Sequence, residues 1–72
     1  MVKFVNGWLF ANRFLNSGKI VPCAIPLDAI VEIVEYNNDR TTLVMDYDGQ
    51  MVEIDAHIID VLGTLQKYLL SN

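Results

Sequence analysis

The sequence contains one pair of side chains with the chemistry of a nucleophile and its base, Cys23 and His57. A thiol attacks a substrate in its ionised form, which a neighbouring imidazole promotes when a third group orients it. Nothing in the sequence brings this pair together, because Cys23 stands between two prolines and His57 opens an amphipathic segment. An inert buried thiol and a solvated imidazole are the commoner roles for residues so placed. The sequence therefore predicts no catalysis by this pair.

Carboxylates are the second group of side chains that could do chemistry. The segment Asp46–Gly49 followed by Glu53 looks like part of a calcium loop, but acidic ligands are too few and Glu53 follows the glycine too closely. An Asp-Gly hairpin turn explains this segment better. Glu32 and Glu35 would do acid–base work only if burial separated their pKa values. With one cysteine and one histidine, neither an internal disulfide nor a Cys/His zinc site is expected. We predict a protein that is not an enzyme and uses no metal or cofactor.

A basic and aromatic set of residues offers binding chemistry instead. Cations beside aromatic rings can stack a nucleobase or hold a phosphate, which suits a small anionic ligand such as a nucleotide. In the alternative, the rings belong to the core and the cations only cover the surface. The candidate residues for binding a ligand or a partner are Lys3, Trp8, Arg13, Lys19 and Arg40.

Charge is divided unevenly along the chain. The first 27 residues hold three cations and no acid, whereas the remainder holds nine acids and two cations. Such an acidic surface suits docking on a basic protein surface, as in small inhibitors encoded by phages or mobile elements. Solubility and the protection of strand edges are the alternative. The net charge of −4 opposes broad binding to nucleic acid or anionic lipid. We expect another protein as the partner, and neither nucleic acid nor a membrane.

Length limits how much of this chain can be buried. A chain of 72 residues is expected to form a single domain, residues 1–72, that hides only ~60% of its unfolded surface. Apolar residues make up 53% of the chain, which exceeds what so small a core takes up. We therefore expect a homo-oligomer, because small domains without disulfides or metals often complete their core in this way.

The expected compartment follows from cysteine usage and from the N-terminal pattern. A single cysteine suits the reducing cytoplasm better than a secreted disulfide scaffold. Polar residues and glycine interrupt the apolar N-terminal segment, which therefore predicts neither a signal peptide nor a membrane span. We expect a cytoplasmic location. The interrupting residues are Asn6, Gly7, Asn12 and Arg13.

Turn residues divide the N-terminal part of the chain. The pair Asn6-Gly7 favours the tight type I′ turn of a β-hairpin over residues 2–14. The alternative is a helix over residues 7–16 with Asn6 as its N-cap. The sequence allows both the hairpin and the helix, because Trp8, Ala11 and Leu15 also fit helical spacing.

Further strands are predicted up to residue 54. The segment Ile20–Ile25 is rich in β-branched residues, and Pro22 within it restricts it to a sheet edge or a bulge. Short turns then separate three apolar segments, which predicts an antiparallel meander. Its strands are Ile30–Tyr36, Arg40–Asp46 and Gln50–Ile54.

A helix closes the predicted fold, over Asp55–Leu70, with the Asp55 carboxylate as its N-cap. Apolar residues at helical spacing predict a stripe that faces the core. Neighbouring apolar residues widen this stripe, so we expect a second subunit to contact them. Gly63 costs roughly 1 kcal/mol relative to alanine, which a closely packed neighbour would offset. The stripe comprises Ile58, Leu62, Leu65 and Leu69, and the predicted interface comprises Ile59, Val61, Tyr68 and Leu70.

The order of motifs after residue 24 resembles that of a known family. Ile-Pro-Leu-Asp-Ala-Ile-Val-Glu-Ile over residues 25–33 is followed by Asp-Arg-Thr-Thr-Leu over residues 39–43, by Asp48-Gly49 and Val52, and by the helix. This order is similar to that of the small flagellar FlbD-like proteins, across residues 25–70. The resemblance implies a small β-meander with a helix, and a flagellar role does not follow from it.

These patterns predict an α+β fold, with a small antiparallel sheet of about five strands and one C-terminal amphipathic helix. An N-terminal hairpin and a three-strand meander supply the sheet. The function they favour is that of a non-enzymatic, homo-oligomeric interaction module that binds another protein and regulates or inhibits it. The alternative is sequestration of a small anionic ligand, such as a nucleotide, near a subunit interface.

Overall fold

The computed structural model of this protein describes residues 1–37 and 39–71. These residues form one six-stranded sheet, a short 3-10 turn at Leu27–Ala29 and a C-terminal α-helix, so the predicted α+β fold is confirmed. Asn38, in the turn predicted before Arg40, lies outside the described residues. The strands are β1 Lys3–Val5, β2 Trp8–Phe14, β3 Ile20–Pro26, β4 Ile30–Asn37, β5 Arg40–Met45 and β6 Met51–Ile54, and the helix α1 is Ile58–Leu70.

The sheet is antiparallel and curled, and two meanders compose it. β1, β2 and β3 pair in succession, and so do β4, β5 and β6. The meanders join where β2 meets β6, with Arg13 opposite Ile54 and Phe14 opposite Glu53. We call this join the seam. The strands of both meanders were predicted from the sequence, whereas the seam was not.

The N-terminal hairpin has the predicted turn. Asn6 and Gly7 have φ values of 50° and 83°, the left-handed backbone that a type I′ turn requires at both central positions. β1 and β2 pair on either side of it, with Val5 opposite Trp8. The hairpin prediction is therefore confirmed, and the alternative of a helix over residues 7–16 is wrong.

The core lies between the sheet and α1. It also contains one fully buried polar side chain, Thr41 on β5. The Thr41 hydroxyl donates a hydrogen bond of 2.9 Å to the Ala56 carbonyl, which satisfies its donor and ties β5 to the segment before the helix. The largest fully buried apolar side chains are Leu9, Leu43, Met45, Ile54 and Val61.

The start of α1 differs from the prediction. The helix begins at Ile58, and His57 occupies the N-cap position without a side-chain capping bond. The Asp55 backbone N–H donates a hydrogen bond of 2.9 Å to the Asn12 carbonyl. Asp55 as the N-cap is therefore wrong, because the backbone bond holds this residue beside β2 as the chain leaves β6.

The core-facing stripe of α1 is also displaced from the predicted one. Val61 is 0% exposed, whereas Leu62 is 47% and Leu69 is 60% exposed. Tyr68 and Leu65 pack against the core from the same side as Val61. The stripe therefore uses Val61 and Tyr68 where Leu62 and Leu69 were predicted. Apolar residues occupy both members of each adjacent pair, so helical spacing fits either stripe.

Tyr68 connects α1 to the N-terminal hairpin. Its hydroxyl oxygen accepts a hydrogen bond of 2.8 Å from the Gly7 backbone N–H, and its ring centroid lies 5.9 Å from that of Phe4. We expect Tyr68→Phe to lower the free energy of unfolding by about 1–2 kcal/mol, because the partly buried Gly7 donor loses its acceptor. Urea unfolding of Tyr68→Phe beside Tyr47→Phe, an exposed tyrosine, tests this. Equal midpoints for both variants would contradict it.

Gly63 lies in the interior of α1, and a Cβ added there would meet nothing within 4 Å among the described residues. The described part of this chain therefore does not supply the close neighbour that the sequence allowed. We expect Gly63→Ala to raise the free energy of unfolding by about 0.5–1 kcal/mol, because alanine restricts the unfolded chain and favours helix. Thermal unfolding at a fixed protein concentration measures this. Gly7→Ala is the contrasting control and should destabilise, since its φ of 83° strains any side chain.

Candidate functional site

The outer side of the N-terminal meander is apolar and exposed. Residues opposite each other in an antiparallel pair share one face, which places Lys3 beside Phe10 and Val5 beside Trp8. Trp8 and Phe10 are 44% and 45% exposed, a high value for aromatic side chains in a small domain. The same face continues onto β3. We define the aromatic sheet face as Lys3, Val5, Trp8, Phe10, Ile20, Pro22, Ala24 and Pro26.

Arg40 clamps the seam. Its Nη1 donates a hydrogen bond of 2.8 Å to Glu53 Oε1, and its guanidinium carbon lies 3.7 Å from the ring centroid of Phe14. The same guanidinium carbon lies 5.9 Å from the ring centroid of Tyr36. A partly exposed ion pair contributes little by itself, and stacking on an aromatic ring adds about 0.5–1 kcal/mol. Arg40 therefore joins β2, β5 and β6 on the outer side of the sheet.

A polar cleft opens beside this clamp. Its volume is about 250 Å³, and the turn between β2 and β3 forms one wall. Arg13 and Arg40 bring positive charge to the lining, and Glu53 brings negative charge. A small anion is the class of ligand that such a lining would accept. The other lining residues are Phe14, Leu15, Asn16, Gly18 and Met51.

Arg13 and Cys23 are neighbours on the side of the sheet that faces the core. The Arg13 Nε atom is buried, and no described residue offers it a hydrogen-bond partner. Burial raises the pKa of the Cys23 thiol, and the nearby Arg13 charge and a backbone hydrogen bond with Ala11 oppose that rise only in part. The thiol is therefore neutral at neutral pH and is a weak nucleophile.

Of the five predicted binding residues, Arg13 and Arg40 line the same polar cleft, and the other three are not in its lining. Lys3 and Trp8 belong to the aromatic sheet face, whereas Arg40 lies on Phe14 at the seam. Arg13 is opposite Ile54, which is buried, so its Cβ is on the core side. Lys19 is exposed in the turn before β3.

The predicted interface on α1 is divided in the same way. Ile59 and Leu70 are 74% and 79% exposed. Val61 is fully buried and Tyr68 packs on the core of its own chain. Val61 is therefore wrong as a residue that meets a second subunit, because the helix turns it to the sheet. Ile59, Leu70 and the partly buried Tyr68 stay predictions.

A second apolar surface was missed by the sequence reasoning. A groove of about 290 Å³ runs between α1 and β4, and we call it the α1–β4 groove. Val31, on the edge strand β4, lines this groove and is 63% exposed. The available signal was the number of apolar residues in Ile30–Ile33, which is greater than one buried face needs. Its lining is Leu27, Ile30, Val31, Ile33, Leu65 and Leu69, with the single acid Glu32.

No protein family, curated protein or solved structure matches this chain. In the described part of the chain, residues 1–37 and 39–71, no group of three metal-ligating side chains could hold a metal ion. No helix among these residues has the length and apolar character to span a bilayer.

Proposed function

We propose that this protein is a non-enzymatic interaction module, which self-associates and binds another protein in order to regulate or inhibit it. The observation that carries this proposal is the aromatic sheet face. Trp8 and Phe10 are exposed on one face of β2, with Val5 opposite Trp8 and Ala24 opposite Phe10. Contiguous exposed apolar patches mark interaction sites, and large aromatic residues supply most of the binding energy at such sites.

Charge indicates the chemistry of the partner. The N-terminal meander contains Lys3, Arg13 and Lys19 and no acidic residue. Lys3 belongs to the aromatic sheet face, and Lys19 lies in the turn before β3. Complementary potentials select partners and exclude others. The partner surface is therefore an apolar centre with an acidic rim, in a reducing compartment such as the cytoplasm where the single cysteine stays a thiol.

Site-specific photo-crosslinking tests this function. A photoreactive benzoyl-phenylalanine in place of Phe10 should give a discrete adduct with one partner in an extract of the source cells. Trp8→Ala should reduce that adduct about tenfold or more, as expected for loss of an aromatic hot spot. An excess of unmodified chain should also compete for the partner and abolish the adduct.

The matched control carries the photoreactive residue at Gln66, an exposed position on α1. It should yield no adduct with the same partner. Equal adducts from positions 10 and 66, or an adduct that Trp8→Ala leaves unchanged, would refute binding through the aromatic sheet face.

A second candidate function, sequestration of a small anionic ligand such as a nucleotide, is favoured by the cleft beside Arg40. The ring of Phe14 and two arginines line or border this cleft. A ligand that binds only the folded state raises the melting temperature, and the rise grows with the logarithm of the ligand concentration relative to its dissociation constant. A thermal-shift screen against nucleotides and inorganic phosphate should then give a shift that Arg40→Gln removes and Lys67→Gln retains. No shift with any of these ligands would leave the candidate without support.

A further inference from the structure

Three strands, β1, β3 and β4, each pair along one side only within the described residues. Unpaired N–H and C=O groups at such an edge are a template for adding another strand. Which groups face outward follows from the alternation of an antiparallel ladder. β1 is only three residues long. The two longer edges, β3 and β4, differ in this respect.

The β3 edge is blocked by proline. The Leu15 N–H donates to the Lys19 carbonyl at 2.8 Å. By the alternation of the ladder, the backbone groups of Val21 therefore face β2, and those of Pro22 face the free edge. Pro26 lies outward by the same alternation. Both positions lack an N–H, so this edge lacks two of the donors that a further strand would use.

The β4 edge contains no proline, and its pairing with β5 is regular from Glu32 to Glu35, between two register shifts. The Met45 N–H donates to the Gln50 carbonyl at 2.7 Å, so odd residues of β5 bond to β6 and even residues bond to β4. The β4 residues that receive those bonds are Glu32 and Val34. Ile33, between them, therefore directs its N–H and C=O to the free edge.

We propose that a second copy of this chain occupies the β4 edge, in an antiparallel pair with Ile33 on the two-fold axis. In this register Glu32 lies opposite Val34 of the other copy, and Glu35 lies opposite its Val31. Like charges therefore do not face each other, which an antiparallel pair requires. The two sheets become one continuous sheet.

The α1–β4 groove fits the same occupant. Its lining carries one charge, Glu32, whereas the chain has a net charge of −4. Two identical acidic chains approach most readily where each is nearly uncharged, and a two-fold interface must be complementary to itself. Pairing at β4 brings both grooves to one side of the joined sheet and covers the exposed Val31 and Leu69.

This inference rests on the self-association in the proposed function and assigns its surface. The aromatic sheet face remains free for the other protein. The two parts of the proposal therefore fail separately, since variants of β4 act on dimerisation and variants of Trp8 act on partner binding.

Charge variants at Val31 test the register. Val31→Glu places a carboxylate opposite Glu35 twice in the dimer and should raise the dissociation constant about tenfold, measured by sedimentation equilibrium. Val31→Lys is the matched control and should retain the dimer, because lysine faces Glu35. Adding Glu35→Lys to Val31→Glu should restore it. Circular dichroism checks that each variant is folded.

Disulfide formation by a cysteine placed on the proposed two-fold axis is a second test. In a Cys23→Ala background, Ile33→Cys should form a disulfide-linked dimer under mild oxidation, whereas Tyr36→Cys on the same strand should not. A strictly monomeric wild-type chain would overturn the inference while leaving partner binding intact. A dimer that resists Val31→Glu but is lost in Phe10→Ala would also overturn it, because self-association would then use the aromatic sheet face.

Discussion

Replacing Leu43 with alanine is expected to lower the free energy of unfolding by about 2–5 kcal/mol, because a buried leucine loses its transfer energy and leaves a cavity. Leu43 is fully buried at the centre of β5, opposite Ile33 on one side and Val52 on the other. Small domains are stable by only about 5–15 kcal/mol. The variant should therefore be close to unfolded at physiological temperature.

Chemical denaturation followed by circular dichroism measures this effect, with Met51→Ala as the control. Met51 lies on the neighbouring strand β6 and is mostly exposed. Its truncation should change the free energy of unfolding by no more than about 0.5 kcal/mol. Similar losses in both variants would mean that β5 is not the centre of the core.

Replacing Val61 with aspartate is expected to prevent folding. Val61 is fully buried under the sheet, and a buried unpaired carboxylate costs several kcal/mol or must take up a proton. The variant should lack a cooperative thermal transition at neutral pH. Its circular dichroism spectrum should show the loss of both helix and sheet.

Leu62→Asp is the matched control, one residue further along the same helix. This side chain is half exposed, so its aspartate remains hydrated and the chain should unfold cooperatively. The contrast separates the two stripes that helical spacing allows. Loss of the fold in Leu62→Asp together with a folded Val61→Asp would assign the core to the stripe with Leu62 and Leu69.

The strands could be predicted because their boundaries depend on local turn chemistry. Asn6-Gly7 and Asp48-Gly49 adopt the positive φ values that tight turns need, and such preferences act within a few residues. The seam could not be predicted in this way. It pairs Arg13 with Ile54, and neither residue carries a local signal for the other.

The side of each element that meets the core was harder to predict. In α1 the adjacent apolar residues Val61 and Leu62 fit the same spacing, and the packing of the helix on the sheet decides between them. The candidate site was hard to predict for the same reason, because packing decides which side chains are exposed. Hydrophobicity alone indicates burial for Trp8 and Phe10, yet the curled sheet turns both outward. The division of the predicted binding residues follows from strand alternation, which places the Cβ atoms of Trp8 and Arg13 on opposite sides of β2.

The brevity of β1 has a consequence for the order of folding. β1 pairs with β2 only as far as Phe10, which leaves Arg13 and Phe14 free to receive β6. Each meander is continuous in the chain and needs only local loop closure, whereas the seam must close the chain from residue 13 to residue 54. We expect the meanders to form first and the seam to close last, as the slow nonlocal step. Until it closes, the ends of β2 and β6 are unpaired edges that are open to intermolecular pairing during folding.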